Sequence, residues 1–431
     1  MKKKMNMPDR YKKIIVEVLR VIISFVFIFS GFVKAVDPWG SAYKFQDYFN
    51  AFNLEFLSFV ALPASFILSA LEFSLGVCLL AGVYRKITSF IILLFMSFMT
   101  CLTLYLAVAN PVSDCGCFGD AIVISNWETF IKNLFLLPAS VVVFLWHPKM
   151  SFLFSKKSRS LVFLYTVIFI LGVSAYCYTY LPVFDFRSYK IGSNIRESME
   201  IPEGAETDVY ETTFIYEKDG EKRKFTLEDY PKDGSGWTFV DTESKLIRKG
   251  YEPRIQGFSV SNSEGYDITD EILNDGGYTF LLIAHKLDKA DDSYIDKINE
   301  AYDYSQKFGY PFYCLTSSLP EQIMEWREST GAEYPFCTAD DIILKTIVRS
   351  NPGLILIKDA TIINKWSGRS IPDKDKLISP LDSSSLGDIP ENQNTKKIIS
   401  LILILFVPLL LLSLADWNSR RRDAKKTKSK K

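Results

Sequence analysis

Six long apolar runs restrict what this 431-residue chain can fold into. Each run approaches the about 20 residues that an α-helix needs to cross about 30 Å of hydrocarbon. Water-soluble cores do not use uninterrupted apolar segments of this length. We therefore predict six membrane-spanning helices, at residues 14–33, 57–83, 87–109, 130–146, 161–182 and 398–414.

The charged residues are segregated as strongly as the apolar ones. The chain has 50 basic and 50 acidic residues, yet residues 184–396 contain 25 basic and 39 acidic ones, so the remainder is basic. A balanced total argues against nucleic acid as a partner, because nucleic-acid-binding proteins normally carry a basic excess. A hydrophobic content of 48% argues against a disordered chain.

The basic residues also predict the orientation. If the amino terminus is cytoplasmic, the cytoplasmic segments hold 20 basic residues, whereas the opposite loop at 110–129 has none. This asymmetry follows the positive-inside rule. It predicts a multi-pass protein of the bacterial inner (cytoplasmic) membrane, in contact with the lipid bilayer, with both termini cytoplasmic and residues 184–396 periplasmic. The first span also has features of a cleavable signal peptide, although its apolar stretch is longer than usual. The cytoplasmic segments are 1–13, 84–86, 147–160 and the tail after residue 415.

The same patterns predict the domain organisation. Residues 208–247 alternate like strands around the Asp219-Gly220 turn signal. From residue 251, strand and helix patterns alternate, which is typical of an α/β domain with a mixed sheet. The predicted parts are a four-helix membrane domain (1–150), a fifth span (151–183), a connector with a small β subdomain (184–250), an α/β domain (251–371), a linker (372–396), a sixth span (397–415) and a basic cytoplasmic tail (416–431).

Seven cysteines need an explanation. Three lie in predicted spans, where a lone cysteine is usually a small packing residue. Cys115 and Cys117 face the periplasm in the sequence Asp114-Cys115-Gly116-Cys117-Phe118-Gly119. A disulfide between them would close a small strained ring, and strained exposed disulfides are the exchangeable ones. We predict Cys115 and Cys117 as a catalytic redox pair.

Two alternatives for this pair stay open. Zinc needs about four ligands, whereas one of the two histidines is predicted in the cytoplasm and the other in the large domain. We therefore predict no metal site. The other alternative is a pair of inert thiols packed at a helix end.

Several motifs in the first four spans together are typical of one membrane-protein family: Gly31-Phe32-Val33-Lys34, Asp37-Pro38, Pro63, Leu71-Glu72, Gly76, Gly82 and the Cys115-to-Gly119 block. On these residues the first four spans resemble the MauE-like branch of the DoxX-related membrane proteins, the methylamine-utilisation family, over about residues 10–150. The resemblance implies a four-helix membrane bundle concerned with thiol and disulfide chemistry, by analogy with the maturation of disulfide-containing periplasmic amine dehydrogenases. It also implies a quinone as a cofactor, because DoxX relatives are linked to quinone-coupled sulfur oxidation.

Glu72 is a second candidate site within the membrane domain. A carboxyl group in an apolar span is costly unless it is paired or used. One interpretation is a proton carrier beside the redox pair. The other is a structural partner for Arg20 or Lys34 inside the bundle.

The α/β domain resembles the thioredoxin-like domains of the peroxiredoxin or TlpA type over about residues 251–371. Pro352 stands where that family has its cis-proline. The position of the family's cysteine pair is occupied by His285-Lys286-Leu287-Asp288-Lys289, which excludes ordinary thioredoxin catalysis there. We expect His285 to lie exposed in a loop. The resemblance is carried by Ile255-Gln256-Gly257-Phe258-Ser259, Gly265, Tyr334-Pro335-Phe336 and Asn351-Pro352-Gly353.

Cys314 and Cys337 are the remaining thiols on the predicted periplasmic side. They are candidate relay thiols that would form a disulfide or accept electrons from Cys115 and Cys117. Two separate buried thiols are the alternative.

The predicted fold is a polytopic α-helical membrane protein, a four-helix bundle plus two further spans, with an extracytoplasmic α/β thioredoxin-like domain. The predicted function is thiol-disulfide redox or electron transfer on disulfide-containing envelope proteins through the Cys-Gly-Cys loop, as a thiol:disulfide or quinone-linked oxidoreductase. The alternative is a non-enzymatic membrane scaffold that presents a redox-inactive thioredoxin-like domain.

Overall fold

The computed structural model describes residues 8–207, 209–231, 235–248, 250–390 and 393–429. Within these residues, six helices are long and apolar enough to cross a membrane, and each overlaps one of the six predicted spans. The helices of the described residues are α1 (Asp9–Val36), α2 (Pro38–Ala51), α3 (Ala61–Ala81), α4 (Arg85–Ala109), α5 (Asn126–Leu145), α6 (Arg159–Thr179), α7 (Ile195–Met199), α8 (Thr269–Asn274), α9 (Ile295–Phe308), α10 (Pro320–Thr330), α11 (Asp341–Ile347) and α12 (Gln393–Ser429).

Helices α1 and α3 cross at two glycines, which let their backbones approach closely. A Cβ atom at Gly31 would lie 2.8 Å from the Ser69 carbonyl oxygen, and one at Gly76 would lie 2.7 Å from the Ile28 nitrogen. Small residues at helix crossings are how membrane helices pack tightly. This crossing fixes the relative positions of Ser30 and Lys34 on α1 and Glu72 on α3.

Replacing Gly31 with alanine is expected to destabilise the bundle by about 1–3 kcal/mol, because the new methyl group meets backbone atoms that cannot move independently. Gly172 on α6 is the matched control, since a Cβ there would meet nothing within 4 Å. Its alanine variant should be stabilised by about 0.5–1 kcal/mol. Chemical unfolding of both variants in detergent micelles measures the difference, and equal unfolding midpoints would contradict the prediction.

Helix α2 was not predicted, because residues 34–56 look like a loop by hydropathy. The Asp37 side chain accepts a hydrogen bond from the Gly40 nitrogen (2.9 Å), and Pro38 occupies the first turn. An aspartate cap followed by proline is a helix-start signal. The start of α2 therefore has a local sequence signal, which its weak hydropathy pattern obscures.

A three-stranded antiparallel sheet follows α7 in the order β2-β1-β3. The hairpin turn has positive φ angles at Asp219 (53°) and Gly220 (84°), which confirms the Asp-Gly prediction. All three strands lie largely within residues 208–247, where the sequence predicted strand-like alternation. The strands are β1 (Val209–Lys218), β2 (Glu221–Phe225) and β3 (Thr238–Arg248).

Residues 251–390, here called the sheet domain, contain a six-stranded mixed sheet in the order β4-β7-β6-β5-β8-β9. The pairs β5–β6 and β6–β7 are parallel, and the other pairs are antiparallel. The strands are β4 (Val260–Ser261), β5 (Tyr278–Ile283), β6 (Phe312–Thr316), β7 (Phe336–Ala339), β8 (Gly353–Lys358) and β9 (Thr361–Ser367).

Both faces of this sheet are buried. Side chains alternate along β5, so Phe280 and Leu282 enter one hydrophobic cluster while Leu281 and Ile283 enter the other. Helices α9 and α10 cover the first face, and α8 and α11 cover the second. The predicted α/β sandwich is confirmed, and the peptide bond before Pro352 is cis, as the thioredoxin-like resemblance predicted.

Candidate functional site

The cysteine loop (residues 110–125) connects α4 to α5. Cys115 is buried and Cys117 is half-buried, and their Sγ atoms lie 2.8 Å apart as free thiols. Gly116 between them has a φ of 65°, a left-handed conformation that glycine adopts without steric cost. A disulfide would need the two sulfurs to approach by less than about 1 Å. The loop therefore holds the two thiols ready to bond.

Helix α2 fixes the loop from one side. The Tyr48 hydroxyl donates to the Cys115 carbonyl oxygen (2.9 Å), and Lys44 Nζ lies 2.6 Å from Asp114 Oδ2. The other oxygen of Asp114 accepts from the Gly116 nitrogen (2.8 Å). These contacts make α2 part of the site, although it carries no sulfur.

A buried ion pair supports the loop from the bundle side. Lys34 Nζ lies 2.8 Å from Glu72 Oε2 and donates to the Cys117 carbonyl oxygen (2.7 Å). The Ser30 hydroxyl lies 2.7 Å from the same carbonyl oxygen and 2.8 Å from Glu72, and it can donate to only one of them at a time. Glu72 is thus placed as a partner of Lys34, while Arg20 pairs with Glu17 at 3.3 Å.

The electrostatic environment distinguishes the two thiols. The hydrogen bond with Cys115 lowers the pKa of Cys117, and the cations Lys132 and Lys34 add to this effect against the opposing effect of burial. The same contact, with burial, raises the pKa of Cys115. A lowered thiol pKa is the property of an attacking cysteine. Cys117 is therefore the better nucleophile of the pair.

Two cavities adjoin the cysteine loop. One has a volume of about 330 Å³ and almost entirely apolar walls, and both cysteines line it together with aromatic residues of α2 and α4. The other has a volume of about 490 Å³ and lies between α2 and the sheet domain. Gly116 and Asp120 line this second cavity, but neither cysteine does. The apolar cavity is therefore the one of these two that the cysteines line.

Comparison with protein families identifies the part of the chain that builds this loop. Residues 12–147 match the family model of the methylamine utilisation protein MauE. This segment is a MauE domain. The match covers α1 to α5, so it includes Ser30, Lys34, Lys44 and Tyr48, whose contacts with the cysteine loop are given above. Residues 210–249, which form the three-stranded sheet, match a domain of unknown function (DUF8463).

Two further comparisons add little. No curated protein matches the chain. A solution structure from Bacteroides thetaiotaomicron, provisionally described as a protein disulfide isomerase, has 13% sequence identity and covers 34% of this chain and 85% of its own, with a TM-score of 0.22. A score this low carries no argument about the fold.

The sheet domain does not bring Cys314 and Cys337 together. They lie on the adjacent strands β6 and β7, but Cys314 points into one hydrophobic cluster and Cys337 into the other. Side chains on opposite faces of a sheet cannot form a disulfide. Burial raises the pKa of both thiols. The pairing hypothesis is contradicted, and the arrangement is that of two separate buried thiols.

His285 is not exposed, contrary to our expectation. It follows β5 with its side chain 15% exposed, and its Nδ1 lies 3.6 Å from Asp341 Oδ1. Burial, the larger cause, and the cation Lys345 lower its pKa to about 4. The loop folds back against α11, which the local sequence does not reveal. Among the described residues, no group of three or more His, Cys, Asp or Glu side chains is arranged to hold a metal ion.

Proposed function

We propose that this protein is a membrane-bound thiol-disulfide oxidoreductase that exchanges electrons with envelope proteins through Cys115 and Cys117. The observation that carries the proposal is the 2.8 Å separation of two thiols in a loop held by Tyr48, Lys44 and Lys34. A pair of packing thiols needs none of these contacts. The MauE match supports the proposal, because the resemblance to this methylamine-utilisation family implies thiol and disulfide chemistry and the matched segment contains the pair.

The proposed reaction is thiol-disulfide exchange. The Cys117 thiolate attacks one sulfur of a substrate disulfide, a mixed disulfide forms, and the other substrate sulfur leaves as a thiolate that takes up a proton. Cys115 then loses its proton and attacks the mixed disulfide at Cys117, which closes the Cys115–Cys117 bond and releases the second substrate thiol. Two electrons pass from the cysteine pair to the substrate, and the reverse sequence oxidises a substrate dithiol.

The apolar cavity fits the quinone that the family resemblance implies. Its walls are aromatic and aliphatic, both cysteines line it, and Lys34 and Glu72 are its buried polar groups. Phe45, Phe49 and Phe98 are the residues that would hold the ring. A bound quinone would supply a lipid-soluble acceptor of two electrons and two protons. In this proposal the protein itself keeps Cys115 and Cys117 in the wall of this cavity.

The proposed location is the bacterial inner membrane. The segments between the spans that carry the basic residues would be cytoplasmic, and the cysteine loop and residues 184–396 would be periplasmic. The structure supports one requirement of this arrangement, because the sheet domain contacts the same end of the bundle as the cysteine loop. A periplasmic loop would meet disulfide-containing proteins in an oxidising compartment.

Single serine substitutions test the proposal. Cys115→Ser should accumulate a mixed disulfide between Cys117 and an envelope protein, because the resolving thiol is gone, and Cys117→Ser should accumulate much less. Non-reducing gels of intact cells with and without reductant provide the measurement. Cys101→Ser, an exposed position on α4, is the matched control. The proposal fails if neither variant traps a protein and the wild-type pair never changes its thiol state.

The pH dependence of alkylation adds a second readout. In the reduced wild type, the alkylation rate of Cys117 should reach its plateau at a lower pH than that of an ordinary thiol with a pKa of about 8.5, because only the thiolate reacts. Cys115→Ala removes the hydrogen-bond donor to Cys117, so the midpoint should move to higher pH. Peptide mass spectrometry assigns the modified cysteine, and an unchanged midpoint would contradict the role given to Cys115.

A non-enzymatic scaffold is the second candidate, and the absence of a cysteine pair after β5 favours it for the sheet domain. Deleting residues 184–396 while retaining the membrane helices separates the two functions. The scaffold would be favoured if cells with the deletion lose the wild-type phenotype while cells with the Cys115→Ser, Cys117→Ser double variant keep it.

A further inference from the structure

Arg349 joins the sheet domain to the MauE domain. It lies two residues after α11, and its Nε and Nη2 atoms lie 3.0 Å and 2.8 Å from Asp37 Oδ2. Nη2 also lies 3.1 Å from Asp120 Oδ2, and Nη1 donates to the Lys345 carbonyl oxygen (2.7 Å). The side chain is 8% exposed. The guanidinium group is thus buried between two carboxylates that both belong to the membrane part.

These two carboxylates belong to the elements that hold the cysteine pair. Asp37 caps the start of α2, the helix that contacts the loop through Lys44 and Tyr48. Asp120 lies within the loop, three residues after Cys117, in the short turn at Gly119–Ala121. A single side chain therefore binds both supports of the pair at once.

The remaining contacts of this interface place the sheet domain over the polar side of the loop. Lys345 Nζ and Arg349 Cζ lie 5.2 Å and 5.4 Å from the centre of the Tyr43 ring on α2. Ile342 and Thr346 of α11 line the 490 Å³ cavity opposite Gly116. Cys115 is buried and Cys117 is half-buried, and both line the apolar cavity rather than this one. A loosened interface would free both α2 and the loop, and so would expose the thiols further.

We infer that Arg349 is a positioning residue, which clamps the sheet domain onto α2 and the cysteine loop and thereby limits access to the two thiols. The inference deepens the proposed redox function by naming how access to the pair is controlled. It also gives the sheet domain, which has no cysteine pair after β5, a role in the same site. A protein substrate reaches Cys117 when the clamp opens.

The test measures the accessibility of the thiols in the full chain, reduced and reconstituted in lipid nanodiscs. The probe is a charged, membrane-impermeant maleimide, and peptide mass spectrometry follows the modification of Cys115 and Cys117. Arg349→Met, which keeps length and removes charge, should raise the labelling rate by about tenfold or more, because it leaves two acidic groups without their shared partner. Arg349→Lys should restore part of the protection, since a lysine still pairs with one carboxylate.

Controls separate positioning from loss of folding. Arg254→Ala removes an exposed arginine of the sheet domain and should leave labelling unchanged. If Arg349→Met does not fold, Asp120→Asn removes only one of the two carboxylates and should raise the rate by a smaller factor. Wild-type labelling rates in folded Arg349→Met, or in Asp120→Asn where Arg349→Met does not fold, would overturn the inference.

The labelling experiment does not require redox activity, so it can fail separately from the proposed function. Faster labelling in Arg349→Met without any trapped mixed disulfide in cells would support the clamp and contradict the proposed reaction. Trapped substrate together with unchanged labelling would support the reaction and overturn the clamp.

Discussion

Replacing Lys34 with methionine is expected to lower the free energy of unfolding by about 3–5 kcal/mol, because it leaves the buried Glu72 carboxylate without its partner. Lys34 and Glu72 side chains are only 7% and 5% exposed, so water cannot replace the lost contact. The Cys117 carbonyl oxygen also loses a donor at 2.7 Å. We therefore expect the variant to combine lower stability with a cysteine loop that is less well fixed.

The double variant Lys34→Met, Glu72→Met provides the decisive comparison. Replacing both members of a buried pair by apolar side chains of similar volume is often neutral or stabilising, so we expect stability close to that of the wild type. Lys86→Met, an exposed lysine at the start of α4, is the matched control. Unfolding in detergent micelles measures all three. A Lys34→Met variant as stable as the Lys86→Met variant would contradict the prediction.

The double variant also separates the two interpretations of Glu72. If Glu72 only stabilises the bundle, the folded double variant should exchange thiols with substrate at the rate of folded Lys34→Met, since both variants lack the Lys34 contact with the Cys117 carbonyl oxygen. If Glu72 carries protons for the pair, the double variant should fold but reoxidise slowly. The rate of disulfide formation after a pulse of reductant in membranes distinguishes these outcomes.

The spans and most elements of the sheet domain could be predicted because their signals are local. A membrane span needs only uninterrupted apolar residues, and the Asp219-Gly220 turn needs only two adjacent residues with positive φ. Strand β7, with four residues, is too short for an alternating pattern to stand out. The sequence therefore did not reveal this strand, which contains Cys337 and ends just before α11.

The supports of the cysteine pair could not be predicted, because they are contacts between distant residues. Arg349 and Asp37 are 312 residues apart, and nothing in the local sequence distinguishes them from the many other arginines and aspartates that could form an ion pair. Lys34 and Glu72 are 38 residues apart, and Arg20 was an equally reasonable partner until the helix crossing was known. The chemistry of the cysteines identifies them in the sequence, but the residues that position them can be identified only from the fold.

The same convergence of distant residues anchors the sheet domain to the connector that follows α6. Asp185 accepts from Arg187 Nε (2.7 Å) and from Lys365 Nζ on β9 (2.7 Å). Lys365 Nζ also donates to the Tyr189 carbonyl oxygen (2.8 Å), and Arg187 Nη1 donates to the Thr346 carbonyl oxygen at the end of α11 (2.9 Å). Both cationic side chains are only 3% exposed. The cluster therefore fixes the segment that carries Arg349.

Asp185→Asn is expected to destabilise the sheet domain by about 3–5 kcal/mol, because two buried cations lose their shared carboxylate. Burial opposes ionisation of Asp185, but Lys365 and Arg187 outweigh it and hold its pKa well below the usual range. A carboxyl group with a depressed pKa in the folded state stabilises the fold above its unfolded pKa of about 4. This contribution should disappear as the pH falls below 4, and the variant should lack that part of the pH dependence.

Hydrogen exchange of peptides from β8 and β9 measures the effect within the sheet domain, apart from the membrane helices. Asp375→Asn, an exposed position in the same domain, is the control and should exchange like the wild type. Because Arg187 also binds the carbonyl oxygen of Thr346, loss of the cluster should loosen the Arg349 clamp and raise maleimide labelling of Cys117. Faster hydrogen exchange in β8 and β9 without any change in labelling would show that the anchor and the clamp act independently. A parallel increase in exchange and in labelling would show that loosening of the connector also loosens the cysteine loop.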